Sequence, residues 1–159
     1  MNKLSHIDNE GKAKMVDISD KTESVRVAKA YAEVFVSDEV FDRINENNIA
    51  KGDVLATARL AGIQAAKKTA ELIPLCHNIL INDVTVDLKL NSKMKSVEIN
   101  TGVKTTSKTG VEMEALTAAT VSALTVYDMC KALDRSIEIS NIKLLAKSGG
   151  KGANYKRKD

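Results

Sequence analysis

From Arg26 to Val36 every second residue (Ala28, Ala30, Ala32, Val34 and Val36) is small and apolar, while Lys29 and Glu33 fall between them. Successive side chains of an extended chain point to opposite faces, so this run predicts a strand with one buried face. The same period returns in Val84, Val86, Leu88 and Leu90. After the polar stretch Asn91 to Lys95 it returns again in Val97, Ile99, Thr101 and Val103, which predicts a hairpin. A last strand is expected over Ser136 to Ala146. Between these runs the period lengthens. Ser37 is placed to cap a short helix that turns Val40, Phe41 and Ile44 inward. Asp53 is placed to cap a longer helix through about Leu72, with Leu55, Ala58, Ala61, Ile63 and Ala66 at roughly helical spacing and Pro74 helping to end it. Thr109 and Glu112 have the spacing of a T-x-x-E capping box, opening a helix to about Leu133. Its middle is almost wholly Ala, Leu, Val and Thr, so it is expected to lie against the sheet, another helix or another subunit.

The order strand, helices, hairpin, helix, strand is that of a ferredoxin-like α+β sandwich, an antiparallel sheet with helices packed on one face. A chain of 159 residues has room for one such core and little more. The expected organisation is an irregular N-terminal arm over 1–24, a single catalytic α+β domain over 25–147 and a flexible Gly/Lys-rich tail over 148–159.

Charge changes this picture little. The formal net charge is +3, but the last thirteen residues alone carry +4, so no basic face is implied for the folded body. The five aromatic residues, Tyr31, Phe35, Phe41, Tyr127 and Tyr155, form no cluster of the kind that stacks bases, which argues against a nucleic-acid partner. Cys76 and Cys130 are too few for a disulfide framework and form no CxxC pair. The N-terminus lacks the apolar core of a signal peptide, and the longest apolar stretch, Ala115 to Tyr127, is interrupted by Thr and Ser. A cytoplasmic protein without a membrane partner is expected.

Taken singly, the candidate chemical groups have ordinary explanations. Lys51-Gly52-Asp53 sets a cation before a helix N-terminus, which favours an anion, though Asp53 is equally explained as a cap. His77 stands beside Cys76 just past Pro74, as a donor or proton shuttle, or as a loop histidine bonded to backbone. With His6 and His77 the only histidines, no zinc site is expected. Both cysteines read as packing residues. Glu112 is explained by capping, and Glu114 by a different face of the same helix. Asp128 and Lys131, three apart, share a face as an ion pair, and their apolar neighbours suggest partial burial. Lys147-Ser148-Gly149-Gly150-Lys151-Gly152 offers backbone N–H groups and charge to a phosphate but lacks Walker A spacing, and also reads as a flexible tail.

The strings around these groups are more specific. Lys51-Gly-Asp-Val with Ala58-Arg59-Leu-Ala-Gly-Ile-Gln-Ala-Ala-Lys67, Leu72-Ile-Pro-Leu-Cys-His77, Lys108-Thr-Gly-Val-Glu-Met-Glu-Ala-Leu116, Tyr127-Asp-Met-Cys-Lys131 and Leu144-Leu-Ala-Lys-Ser-Gly-Gly-Lys151 resemble successive signatures of the MoaC family of molybdenum cofactor biosynthesis. The resemblance spans about Met15 to Lys151. It implies conversion of 3′,8-cyclo-7,8-dihydro-GTP, supplied by the radical-SAM partner MoaA, to cyclic pyranopterin monophosphate with release of diphosphate. It implies Asp128 as catalytic residue, working with Lys131 and Lys51. Leu75, Cys76, His77, Glu112, Met113 and Glu114 are then substrate-binding positions, and Lys147 and Arg26 supply positive charge. It further implies a homohexamer, a trimer of dimers with the pocket at a subunit interface. No cofactor is required, and Mg²⁺ is compatible with the triphosphate. Ser107, where the family pattern has Gly, and the unsigned segment Val36 to Asn48 are the departures. A non-catalytic nucleotide-binding module is the competing class, against which the full set of acid/base side chains counts.

Overall fold

The computed structural model describes residues 7, 10–150 and 154–158. The strand expected around Ala28 to Val34 forms as β1 (Ser24–Phe35), followed by α1 (Asp38–Asn45), α2 (Val54–Lys67) and α3 (Thr69–Leu72). The hairpin is β2 (Asp83–Asn91) and β3 (Ser96–Ser107), then come α4 (Glu112–Cys130), β4 (Glu138–Ser148) and β5 (Tyr155–Lys156). The sheet has the order β2-β3-β1-β4-β5 with antiparallel neighbours, and the helices pack on one face of it, so the ferredoxin-like α+β sandwich is what forms.

Register explains why β1 is built of alanine. Ala30, Ala32 and Val34 stand opposite Thr101, Ile99 and Val97, so their shared face is the floor of the core. Ala28, Ala30, Ala32, Val34, Val97, Ile99 and Val103 are each 1% exposed or less. Burying each Val or Ile contributes roughly 1.5–3 kcal/mol. Alanines at the centre let α4 lie close, through Ala115, Ala118 and Ala119. Helices α2 and α4 approach each other just as closely. The Ser122 hydroxyl donates to the Ala58 carbonyl at 3.0 Å, and any side chain at Gly62 would run into that hydroxyl. Two other hydroxyls of α4 turn back on its own carbonyls, Thr120 to Leu116 and Thr125 to Val121, each at 2.8 Å. Those bonds let an apolar helix carry Ser and Thr in its middle.

Several expected boundaries move for local reasons. The helix capped by Asp53 stops at Lys67, because the buried Thr69 hydroxyl bonds the carbonyls of Ala65 and Ala66 and the chain restarts as α3. The T-x-x-E box does not form: Val111 is the residue before α4, with no side-chain cap, and the Glu112 carboxylate is drawn to Lys147 instead. Helix α4 ends at Cys130, before Leu133. The tail is not wholly loose, since β5 pairs with Ala146 and Lys147 of β4. Along the described part of the arm, the only pairing is a single bridge from Ile7 to Ala13. His6, Lys151 and Gly152 lie outside the described residues. No helix among the described residues is long and apolar enough to cross a membrane.

Candidate functional site

Three charged groups meet near the C-terminal end of α4. Lys51 comes from the turn before α2, where Gly52 adopts φ +100° and the Asp53 carboxylate accepts the Ala56 N–H at 2.9 Å. The turn sends the Lys51 ammonium to Asp128, where it donates to Oδ2 at 3.1 Å and to the backbone carbonyl at 2.8 Å. Lys131 Nζ reaches Oδ1 at 2.6 Å. Asp128 thus has one ammonium on each oxygen. Hydrogen bonds from Lys131 and then Lys51 hold its carboxyl below the usual range, and the same contact raises Lys131. At neutral pH the centre of this cluster is a carboxylate and Lys131 keeps its proton. The partial burial expected of the Asp128–Lys131 pair is absent: the two side chains are 57% and 49% exposed, because Tyr127, Met129 and Cys130 bury other faces of the helix. Such open pairs add little to folding. Beneath them the buried Cys130 thiol is pushed up to about 11 by burial, as befits a packing residue.

The other candidate groups gather at the opposite end of α4, around two adjoining cavities. The first, of about 570 Å³, is walled by Lys21, Arg26, Lys108, Glu112 and Lys147 and by the strand end Ser148-Gly149-Gly150. Its charge is strongly positive. The Arg26 guanidinium ties three chain segments together, donating to the carbonyls of Ser107, Lys108 and Gly149 at 3.3 Å each. Gly150 is required beside it, since at φ +81° a side chain would be strained and would run into the guanidinium. Lys147 Nζ lies 2.7 Å from Glu112 Oε1. The Lys147 to Gly150 segment therefore does line a basic cavity, as its composition suggested.

The second cavity, about 420 Å³, shares Lys21, Thr109, Gly110 and Glu112 with the first. Leu75, Cys76 and His77 enter it from one side, and Met113 and Glu114 from the first turn of α4. The Ile73 carbonyl accepts the Cys76 N–H at 3.1 Å, closing the turn around Pro74 that presents the segment. His77 Nε2 stands 2.8 Å from the Val16 carbonyl of the arm. A carbonyl only accepts, so this ring nitrogen carries a hydrogen. Cys76 is half-buried, not buried, and its thiol is raised by burial and then by Glu114.

Glu114 is 4% exposed, and burial raises its carboxyl, partly opposed by a bond to its own backbone N–H and reinforced by the charge of Glu112. A carboxyl that binds its proton more tightly in the folded chain subtracts stability above its unfolded value. The penalty grows as pH rises through the folded value and is complete above it. Glu114→Gln is therefore expected to be more stable than the parent at pH 7. That advantage should shrink towards zero below the ordinary value of 4.5, which urea unfolding at both ends of the range would reveal.

The expected site residues thus fall into two groups. Lys51, Asp128 and Lys131 form one cluster, while Arg26, Leu75, Cys76, His77, Glu112, Met113, Glu114 and Lys147 surround the cavities. Sixteen residues of helix from Glu112 to Asp128 separate the groups by about 24 Å. Sequence reasoning did not assign Lys21, Lys108, Val16 or Ile18, although the apolar patch Met15 to Ile18 in a polar arm was a visible signal. Among the described residues, no group of three or more His, Cys, Asp and Glu converges as metal ligands would.

The α+β sandwich of ferredoxin-like topology thus sets a basic cavity beside one lined by carboxyl, thiol and imidazole groups. Comparison with known proteins is more specific. The family description "MoaC family" matches residues 15–150. A protein from Thermoanaerobacter sp. (strain X514), named cyclic pyranopterin monophosphate synthase, is 52% identical over 154 residues, which is 97% of this chain and 98% of that protein. Proteins of the same name from Heliobacterium modesticaldum and Bacillus thuringiensis are each 51% identical, over 100% and 99% of both chains. The chain belongs to the MoaC family.

Proposed function

We propose that this chain is an enzyme of molybdenum cofactor biosynthesis that converts 3′,8-cyclo-7,8-dihydro-GTP to cyclic pyranopterin monophosphate and releases diphosphate. The observation that carries the reading is the pair of adjoining cavities. One is walled by four cations and suits a triphosphate, and the other holds a buried carboxyl, a thiol and an imidazole beside Met113 and suits a purine-derived ring. Curated relatives over the full length bear the name of the corresponding synthase.

In this reading the ribose-derived hydroxyl attacks the α-phosphorus, its proton leaves to a base, and the bond to the β-phosphate breaks. Arg26 and Lys147 neutralise the departing diphosphate. Ring opening and reclosure need protons moved between nitrogen and oxygen. Asp128, ionised between two ammoniums, is the acceptor that holds Lys51 and Lys131 in place, and Lys131, which keeps its proton, is the donor. No resident cofactor is assigned, and any Mg²⁺ enters on the triphosphate as part of the substrate. The radical-SAM protein MoaA supplies that substrate in the cytoplasm, where two free thiols persist.

One chain does not complete this site, because Asp128 lies about 24 Å from Glu112 along α4. A second copy supplies the missing half. Met113 (37% exposed), Leu116, Leu124 (52% exposed) and Tyr127 recur at helical spacing and leave an apolar stripe on the outer face of α4. A two-fold axis crossing that stripe near Thr120 would bring Asp128 of one copy to the cavities of the other, twice per dimer. Three such dimers form the proposed hexamer.

The test is incubation of the purified protein with enzymatically prepared cyclised nucleotide, followed by mass spectrometry for the pterin product and diphosphate. Both should appear. Binding without diphosphate release would favour a non-catalytic nucleotide-binding module instead.

A further inference from the structure

Strand β4 does not run straight beside β1. At its start Glu138 and Ile139 pair with Phe35 and Val34, and straight pairing continued from there would set Leu145 opposite Ala28. Lys147 stands there instead, because β4 carries two bulges, one between Ser140 and Lys143 and one at Leu145. Each bulge reverses the faces of all the residues beyond it. The first brings Leu144 onto the core, where Ile139 already packs five residues earlier. It also has a fastening of its own: Asn141 takes a left-handed φ of +54°, and its amide donates to the buried Glu33 carboxylate at 2.9 Å. The second bulge has no such apolar reason. Leu144 and Ala146 have the spacing of two inward residues, yet Lys147 is the one that shares the face of Ala28, and its ammonium lies 2.7 Å from Glu112.

The tail supplies the missing reason. Strand β5 lies along the outer edge of β4, with Lys156 opposite Ala146 and Tyr155 opposite Lys147. Successive carbonyls of a straight strand point to opposite edges, so one of any two would face β1. Those of Leu144 and Leu145 both meet Arg157 instead. The Arg157 backbone N–H donates to the Leu145 carbonyl at 2.8 Å, and its Nε–H donates to the Leu144 carbonyl at 3.1 Å. Before Tyr155, the Asn154 side chain accepts the Gly149 N–H at 3.3 Å. The tail therefore grips β4 on both sides of Lys147.

We infer that Arg157 is a positioning residue for Lys147. By taking both carbonyls of the bulge at Leu145, it keeps the lysine on the face of the sheet that carries α4. Without that hold the strand regains regular pairing by straightening, Ala146 moves opposite Ala28, and Lys147 turns to the far face. The part that Lys147 plays in the reaction rests on the proposed function, whereas the register does not.

Arg157→Pro removes both donors at an exposed position near the chain end, so folding is not at stake. Crystal structures of the full-length parent and variant read the register. Lys147 is expected opposite Ala28 in the parent, and Ala146 in the variant. In turnover of the cyclised nucleotide, Arg157→Pro should lower kcat/KM about tenfold, as for loss of one charged hydrogen bond, with an unchanged melting temperature. Arg157→Ala, which keeps the backbone N–H, should lose about threefold. In a Lys147→Ala background, Arg157→Pro should cost no more than about twofold further, because the lysine it positions is gone. An Arg157→Pro structure with Lys147 still opposite Ala28 would overturn the assignment. So would parental kcat/KM in that variant, or a full tenfold loss in the Lys147→Ala background, which would mean that the tail supports activity by another route. If the register shifts but the parent does not convert the cyclised nucleotide, the proposed reaction fails while the hold of Arg157 on Lys147 stands.

Discussion

Replacing Asp128 by Asn is expected to lower turnover of the cyclised nucleotide by about 10²–10⁴-fold while the protein folds and assembles as before. The substitution keeps the shape and removes the charge. In the parent, Oδ1 accepts from Lys131 at 2.6 Å and Oδ2 from Lys51 at 3.1 Å. An amide offers one accepting oxygen and turns an NH₂ group towards the other ammonium, so one lysine is repelled from its place. Two lysines with no anion between them also disfavour each other. The proton acceptor is lost and the donors are displaced together, which is why the effect should exceed that of removing either lysine. Folding is barely touched, because all three side chains are about half exposed and their pairing adds little to stability. Steady-state turnover with the melting temperature measured alongside separates the two. A folded Asp128→Asn protein with parental turnover would remove Asp128 from the chemistry.

The fold was largely legible from periodicity. Alternation in β1, β2 and β3 located the sheet, because burial on one face leaves a period of two that nothing else imitates over four or more residues. Ser37 and Asp53 were legible as caps, and both accept the expected N–H, from Val40 and Ala56. Thr109 was misleading for a tertiary reason. Its box depends on Glu112 turning back to the helix end, and Lys147, thirty-five residues away, competes for that carboxylate. Local pattern cannot show such a partner. The same limit hid the break at Lys68, which depends on burial of Thr69.

For the site, the motifs located the groups but not their grouping. Asp128 and Lys131 are neighbours on one helix turn, so their contact follows from spacing alone. Lys51 joins them only through packing of α2 against α4. Lys21 went unassigned because a lysine in a polar arm carries no sequence signal; its meaning comes from the cavities on either side of it. Nor does any periodicity reveal that one helix carries parts of the proposed site at both ends. That separation follows from the length of α4, and it leads to the second large effect.

Two inactive variants should restore each other. Asp128→Asn disables the cluster at the C-terminal end of α4, and Arg26→Ala disables the cavity at the other end. When the two chains are co-expressed and mix at random, half of the dimers contain one of each. In these, one site receives both defects and the other receives none, so about a quarter of all sites are intact. Turnover should rise from the low level of either variant alone to about a quarter of the parent's, a gain of at least tenfold. Arg26→Ala must first be shown to fold, since its guanidinium bonds three carbonyls; Lys147→Ala, which breaks only the contact with Glu112, serves as the second partner. Activity recovered to about a quarter in mixed assemblies, with none recovered when separately purified variants are combined without subunit exchange, is the result expected of a site shared between two copies. Mixed assemblies as inactive as either variant alone would contradict it.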